Sequence, residues 1–440
     1  MGQGVLTVGR QDALFADAGL TRGADGDLIL DGVPLRAIAH HVGTPTYVYA
    51  SGAIHARYRA LDGALAAIPH TLCYAVKANS NLSVLRILAG LGAGADIVSG
   101  GELERAMTAG FAPDLIVFSG VGKSRRELAQ AIQAGVGQIN VESVEELQLL
   151  ALLAREGDRQ VSVGLRMNPD VTTDTHPYIS TGKHGIKFGI PADQVLDAAR
   201  LVAASPQLVL AGIGVHLGSQ LLSVQPYQEA LQRLLGILPE VQEACDGTVR
   251  SIGLGGGVGI RYTGDESVLS PEAFAAAIVP AVQDAGLHLH LEPGRCLVGS
   301  AGVLLTEVLY RKHSGGRDFV IVDAGMNDLV RPSHYQAHHE IVPVGAPRPQ
   351  SLVVDVVGPI CETGDFLALE RELPVVEAGE LLAILGAGAY GFVMSSQYNT
   401  RGRAAEVLVA GGGWRICRPR ESANDLMATE RELLHDGVTP

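Results

Sequence analysis

Several residues able to do covalent or acid–base chemistry stand at the ends of short apolar runs. The run Thr71–Asn79, TLCYAVKAN, closes on Lys77. A lysine at the end of a buried strand is costly unless it is paired, deprotonated or covalently used, or unless it snorkels to solvent. A neutral amine condenses with an aldehyde to give a Schiff base. Gly255-Gly256-Gly257 also follows an apolar run, where backbone N–H groups can wrap a phosphate or simply make a tight turn. Glu292-Pro293-Gly294-Arg295 pairs a carboxylate with a guanidinium. A carboxylate can hold a pyridine nitrogen protonated, and the planar fork of an arginine suits a phosphate or a carboxylate. Cys361-Glu362 places a thiol, a candidate proton donor or a small buried hydrophobe, beside a carboxylate.

Two patterns compete for other chemistries. His288, His290 and Glu292 alternate along one run and share a face, as a two-histidine-one-carboxylate metal site would. The preferred reading puts both histidines at the barrel wall or bottom, leaves Glu292 alone at the site and assigns no metal. A metal-dependent barrel hydrolase is the alternative. Gly386–Gly391 matches GxGxxG but lacks a following helix, which argues against dinucleotide binding. His334, His338 and His339 read as a solvated cluster, and Arg331 and Tyr335 as surface residues by default.

These residues need elements to hold them. Strand-like runs at Leu72–Val76, Asp96–Val98, Leu115–Phe118, Gln138–Val141, Val161–Met167, Leu208–His216, Val249–Leu254 and Leu287–Leu291 alternate with helical patterns. Eight βα units predict a (β/α)8 barrel, with an open doubly wound sheet as the runner-up. In a barrel the chemistry sits at the C-terminal strand ends, where Lys77, His216, Gly255 and Glu292 fall. Beyond Arg295 the rhythm changes to strands, predicting a β-sandwich or β-barrel domain that also takes in the N-terminal segment. The expected division is 46–295 for the barrel and 1–45 plus 296–440 for the β domain. Pro169–Gly189 is a long irregular stretch inside the barrel, more often functional than idle.

Composition narrows the function. The 440 residues carry a net charge of −14, which argues against nucleic acid or anionic membrane as the main partner. Five cysteines without a CxxC fit reduced thiols better than disulfides or structural zinc. No basic-then-apolar leader and no ~20-residue uncharged apolar run stands out. A cytoplasmic location is expected.

Taken together, YAVKAN, HLGSQ at His216–Gln220, GGG, EPGR, CETGD and GAYG occur in the order found in fold-type III pyridoxal-phosphate decarboxylases. The chain resembles the diaminopimelate decarboxylase branch most, adding FSGVGKSRREL, NVES, RMNPDV, DAGMNDLVRPSHYQAHHEI and SSQYNTRGRAAEVLV, over about residues 28–430. The resemblance implies a barrel plus β domain and pyridoxal 5'-phosphate as cofactor. It implies that Lys77 holds the cofactor's aldehyde as a Schiff base and that His216 stacks on the ring. Ser219, Gly255, Gly256, Gly257, the Gly294–Arg295 turn and Tyr390 would hold the phosphate, and Glu292 the pyridine nitrogen. Arg295, Arg331, Tyr335, Glu362 and Tyr390 would bind substrate. Cys361 would donate the proton from the partner subunit of a homodimer. The implied reaction converts meso-2,6-diaminopimelate to L-lysine and CO2. Relatives acting on ornithine, arginine or carboxynorspermidine, and a non-catalytic pyridoxal-phosphate-binding regulator, are the alternatives. The sequence departs from the branch at His334, Pro419 and Ser422.

Overall fold

The computed structural model describes residues 8–171 and 185–434. The chain divides into two compact units. One comprises the described residues within Met1–Ile54, Arg261–Glu266 and Val298–Pro440; the other those within His55–Ile260 and Ser267–Leu297.

The second unit is a closed barrel of eight parallel strands. In chain order these are β1 (His70–Ala75), β2 (Gly94–Ile97), β3 (Ile116–Phe118), β4 (Gln138–Val141), β5 (Val161–Arg166), β6 (Leu208–Gly214), β7 (Ser251–Gly253) and β8 (His288–Leu291). Closure is made by β8 on β1, with Leu289 opposite His70 and Leu291 opposite Leu72. Helices return between the strands, and their starts are written in the sequence. Asn81, Ser99, Ser124, Ser143 and Ser270 each accept a backbone N–H of the helix they precede. The cap fixes where each βα loop ends and so how far it reaches over the barrel mouth.

Barrel interiors are usually filled by branched apolar side chains, but this one is partly polar. Gln138 Nε2 donates to Asn140 Oδ1 at 2.7 Å, and Asn140 Nδ2 donates to Ser119 Oγ at 3.1 Å. Two inward glycines make the room: a Cβ on Gly164 would lie 2.2 Å from Asn140 Oδ1, and one on Gly212 would lie 2.4 Å from Ser251 Oγ. Below this layer is a recess of about 370 Å3, lined among others by Thr71, Cys73, Arg250, His288 and His290.

The first unit holds a nine-stranded mixed sheet and a three-stranded antiparallel one. Thr46–Ala50 runs antiparallel to Gly302–Ser314 and parallel to Ala405–Ala410. Alternate residues Val48, Ala50, Val303, Leu305, Val407 and Val409 share one face and enter an apolar core with Leu28, Leu30, Leu35 and Ile38. The expected all-β composition is exceeded by helices at Val8–Ala18, Leu35–Val42 and Ala423–Leu434. Among the described residues no helix is long and apolar enough to cross a membrane.

Candidate active site

Lys77 does not close a strand. It sits in a single 3-10 turn, Val76–Ala78, directly after β1. The turn is fixed locally: Tyr74 Oη donates to Asn79 O at 3.0 Å, and Asn79 Oδ1 accepts Asn81 N–H at 3.0 Å. Lys77 Nζ donates to Asp96 Oδ2 at 2.8 Å. Asp96 comes from β2, where it stands opposite Ala75, and its side chain is fully buried. Burial pushes the Asp96 carboxyl up and the Lys77 ammonium pulls it back; at 2.8 Å from a cation we hold it to be a carboxylate. Its second oxygen, Oδ1, is buried without a partner. The sequence reading overlooks Asp96, whose one signal is a charge inside the apolar run GADIV.

The EPGR turn packs against this lysine turn. Ala75 N–H donates to Pro293 O at 3.0 Å. A Cβ at position 294 would lie 2.9 Å from that of Ala78 and 3.1 Å from that of Ala75, so the close approach needs Gly294. Glu292, just past β8, is buried; burial pushes its carboxyl up, with Lys77 and Arg166 opposing. His216 Nδ1 lies 3.5 Å from Glu292 Oε2 and accepts Gly256 N–H at 3.3 Å. Burial pushes His216 down to about 3. The imidazole is therefore neutral, with its proton on Nε2, and the contact with Glu292 is not an ion pair. The glycine triplet winds under these two residues. Gly255 (φ 66°) and Gly257 (φ 98°) are left-handed, and a Cβ on Gly256 would lie 2.1 Å from Glu292 O. Ser219 Oγ accepts Arg295 Nη2 at 2.8 Å. Lys77, His216, Ser219, Gly255–Gly257, Glu292, Gly294 and Arg295 thus gather at the C-terminal mouth of one barrel.

The mouth carries further charged groups to which the sequence assigns no role, although NVES contains Glu142 and FSGVGKSRREL contains Lys123. Glu142 accepts Gly120 N–H and Arg166 Nη1, both at 2.8 Å, through one oxygen, and Gly189 N–H at 3.3 Å through the other. Lys123, its side chain wholly buried, donates to Gly120 O, Asn140 O and Glu146 Oε1 at 2.6–2.7 Å. Glu102 Oε2 accepts Val98 N–H at 2.7 Å, and burial pushes its carboxyl up to about 7 against that bond and the charge of Lys77. Of the stretch Pro169–Gly189, residues 172–184 lie outside the described residues. Its flanks are tied by Asn168 N–H to Ile190 O at 2.9 Å.

His288 and His290 line the recess below the polar layer. His288 Nε2 is 2.8 Å from Thr71 Oγ1, and the two rings stack edge-on at 4.9 Å. Burial pushes His290 down to about 4, so it is neutral. Among the described residues no group of three His, Cys, Asp or Glu could hold a metal ion.

In the other unit, Arg331 and Tyr335 begin and end one short helix. Arg331 is buried, not a surface residue: Nε donates to His339 Nε2 at 3.2 Å, and the guanidinium lies 5.2 Å from the Tyr262 ring centre. His339 is fully buried as well and donates from Nδ1 to Leu385 O at 2.8 Å, so of the expected solvated cluster His334 is exposed and His338 half-buried, while His339 instead supports Arg331. His334 meets Tyr335 edge to face, ring centres 4.5 Å apart. Cys361 is exposed, and its N–H donates to Asn399 Oδ1 at 3.0 Å. Glu362 follows it in the same turn. Tyr390 stands at φ 56° in the Gly386–Gly391 turn.

Residues 51–299 match the model of the pyridoxal-dependent decarboxylase pyridoxal-binding domain. The diaminopimelate decarboxylase of Pseudomonas fluorescens is 50% identical over 409 residues, 93% of this chain and 98% of that one. The Aquifex aeolicus diaminopimelate decarboxylase is 44% identical over 90% of this chain and 94% of its own. Among solved structures, Helicobacter pylori diaminopimelate decarboxylase complexed with L-lysine superposes with a TM-score of 0.87 at 39% identity, covering 90% of this chain and 99% of that chain. With that likeness spanning nearly its whole length, the chain belongs to the pyridoxal-dependent decarboxylase family, in its diaminopimelate decarboxylase branch.

Proposed function

We propose that the chain decarboxylates meso-2,6-diaminopimelate to L-lysine and CO2, the last step of lysine biosynthesis, using pyridoxal 5'-phosphate. The observation that carries the proposal is the agreement of two things: relatives of that name align over nearly the whole chain, and the lysine, the carboxyl and the glycine cradle meet at one barrel mouth.

The mouth fits the cofactor. Its donor set offers an amine, a buried carboxyl and a neutral imidazole, and the buried Oδ1 of Asp96 has room for one more hydrogen bond. Bound pyridoxal phosphate supplies an aldehyde that amines condense with and a ring that accepts the electron pair released as CO2 leaves. Lys77 would hold that group through Nζ, with Asp96 balancing the charge on the amine. Glu292 would face the pyridine nitrogen, where a carboxylate keeps a proton in place. The neutral His216 would cover a ring face without adding a positive charge. Gly255–Gly257, Ser219, Arg295 and Tyr390 would hold the phosphate.

On the substrate, Arg295, Arg331, Tyr335, Glu362 and Tyr390 would anchor the distal amino-acid group. A guanidinium held by His339 and two aromatic rings presents its fork in one orientation, as recognition of a carboxylate requires. The Cys361 thiol would give its proton to Cα of the decarboxylated substrate and recover one from water. In this reading the donor is Cys361 of the partner subunit, and the working form is a homodimer in the cytoplasm.

The test is direct. Purified protein with pyridoxal phosphate and meso-diaminopimelate should release lysine and CO2 in equal amounts, and should leave ornithine, arginine and carboxynorspermidine essentially unused. Absence of lysine, or preference for one of those amino acids, overturns the proposal.

A further inference from the structure

The SSQYNTRGR segment has no role in the reading above, yet it grips the turn that carries the thiol. Tyr398–Thr400 form one 3-10 turn in which Asn399 (φ 56°, ψ 26°) and Thr400 (φ 57°) both stand in the left-handed region. Asparagine tolerates that region; a β-branched threonine enters it only when its surroundings impose it. Such outliers persist where neighbouring contacts over-determine them, and those contacts are present here.

The left-handed backbone delivers the Asn399 amide to the next turn. Its Oδ1 accepts the Cys361 N–H at 3.0 Å. The preceding residue, Tyr398, hydrogen-bonds the Glu362 carboxylate, which pushes its phenol up. Further bonds close a frame. Asp365 accepts Ile360 N–H through one oxygen and Met326 N–H through the other, both at 2.6 Å. Ser396 N–H donates to Asn327 O at 2.8 Å. The 360–365 turn, the 325–328 loop leading to Arg331 and the 396–400 segment therefore each hold the other two.

We propose that Asn399 is a positioning residue for the proton donor: by fixing the Cys361 backbone N–H it sets the direction in which the Cys361 Sγ–H is presented to the substrate carbon. The bond is to the main chain, so it survives both protonation states of the thiol. Tyr398 bonds the side chain of Glu362 rather than its main chain, so one segment contacts both Cys361 and Glu362. The inference rests on the assignment of Cys361 as the acid. When CO2 leaves, its bonding electrons stay behind and must take up a proton. Taken at Cα, the proton gives lysine. Taken elsewhere, it would, with water, release an aldehyde in place of lysine and leave the substrate nitrogen on the bound cofactor as an amine. A misdirected donor shifts the balance toward the second outcome.

The experiment compares cofactor-loaded wild type with Asn399→Ala, Asn399→Gly and Asn399→Asp. Alanine should lower kcat about tenfold with KM within about twofold, since general-acid catalysis and its alignment each bear on kcat. It should also raise the share of turnovers ending in amine-form cofactor and alter the rate at which iodoacetamide alkylates Cys361, the exposed cysteine of the five. Glycine, free to adopt the left-handed backbone but lacking the acceptor, should behave like alanine. Aspartate, which keeps an oxygen there, should restore all three readouts. An unchanged cofactor-amine share and alkylation rate in Asn399→Ala overturns the proposal, and so does a raised KM at unchanged kcat. If wild type decarboxylates nothing, the functional reading has failed; alkylation, which needs no turnover, still decides whether Asn399 sets the thiol.

Discussion

Glu102 offers a quantitative check on the electrostatics around Lys77. Its carboxyl stands at about 7 in the folded protein against 4.5 as its ordinary value, chiefly through burial. Below about pH 4.5 both folded and unfolded chains hold the proton, and Glu102 makes no difference to stability. Between 4.5 and about 7 the unfolded chain releases the proton while the folded chain keeps it, so stability falls as pH rises. Above about 7 the loss levels off. At ~1.4 kcal/mol per pH unit the full loss is about 3 kcal/mol, and about 2–3 once the partial exposure of the side chain is allowed for. Glu102→Gln keeps an oxygen acceptor for the Val98 N–H and cannot titrate. Its stability relative to wild type should therefore rise by about 2–3 kcal/mol between about pH 4.5 and about pH 8. Urea unfolding of the cofactor-free protein across that range, followed by the circular dichroism of its helices, measures the difference. Parallel stability curves for the two proteins would falsify the buried-carboxyl account.

Lys77→Ala should leave no residue that borohydride can link to pyridoxal phosphate, and activity should drop below roughly a thousandth of wild type; covalent labelling elsewhere in the barrel would remove the lysine assignment. Cys361→Ala should lower kcat about 10²–10⁴-fold with little change in KM, as measured by lysine release, and full turnover would dismiss the thiol as the acid. His216 is neutral across the working range, so His216→Phe should weaken cofactor binding while leaving the acid limb of the kcat/KM profile where it was. Lys123→Met strands Glu146 and two carbonyls in the interior, which should cost about 3–5 kcal/mol in urea unfolding; a loss under about 1 kcal/mol would mean the ammonium's desolvation offsets its three bonds.

Much of the barrel is legible in the sequence because its signals are local. Short apolar runs, serine caps and the polar residues after each run fix both the strand count and the mouth. Lys77, His216, the glycine triplet and Glu292 follow from standing at or just past the ends of their runs. Asp96 is hidden because its meaning lies in register: only pairing with Ala75 brings it within reach of a lysine one turn further on. His339 and Arg331 read as surface because RPSHYQAHHE is polar throughout, and their burial depends on Tyr262 and Leu385, far away in sequence. Thr46–Ala50 is equally opaque. TYVYA consists largely of β-formers, but its partners begin at residues 302 and 405, and no local pattern says which sheet it joins.

That strand has a consequence for how the chain is made. Tyr49 pairs with Gly302, 253 positions on (49 to 302), and Thr46 with Ala405, 359 on (46 to 405). At ~5–20 residues per second a ribosome extrudes Thr46 roughly 20–70 s before its last neighbour exists. Until Gly302–Ser314 emerges, a strand buried along its whole length in the fold has nowhere to bond, and it is open to capture by a chaperone or by another nascent chain. The barrel between them does not shorten this wait, but it shortens the search that follows. Arg57 Nη1 reaches Cys296 O at 3.5 Å, so folding of that unit brings its own beginning and end together. Most of the entropy of closing the long loop is then already spent when Gly302–Ser314 emerges. Vectorial synthesis should thus favour a barrel that forms first and a sheet that zips onto a prepared pair of ends, and circular permutants that place Thr46–Ala50 after residue 410 should give more soluble protein per chain translated.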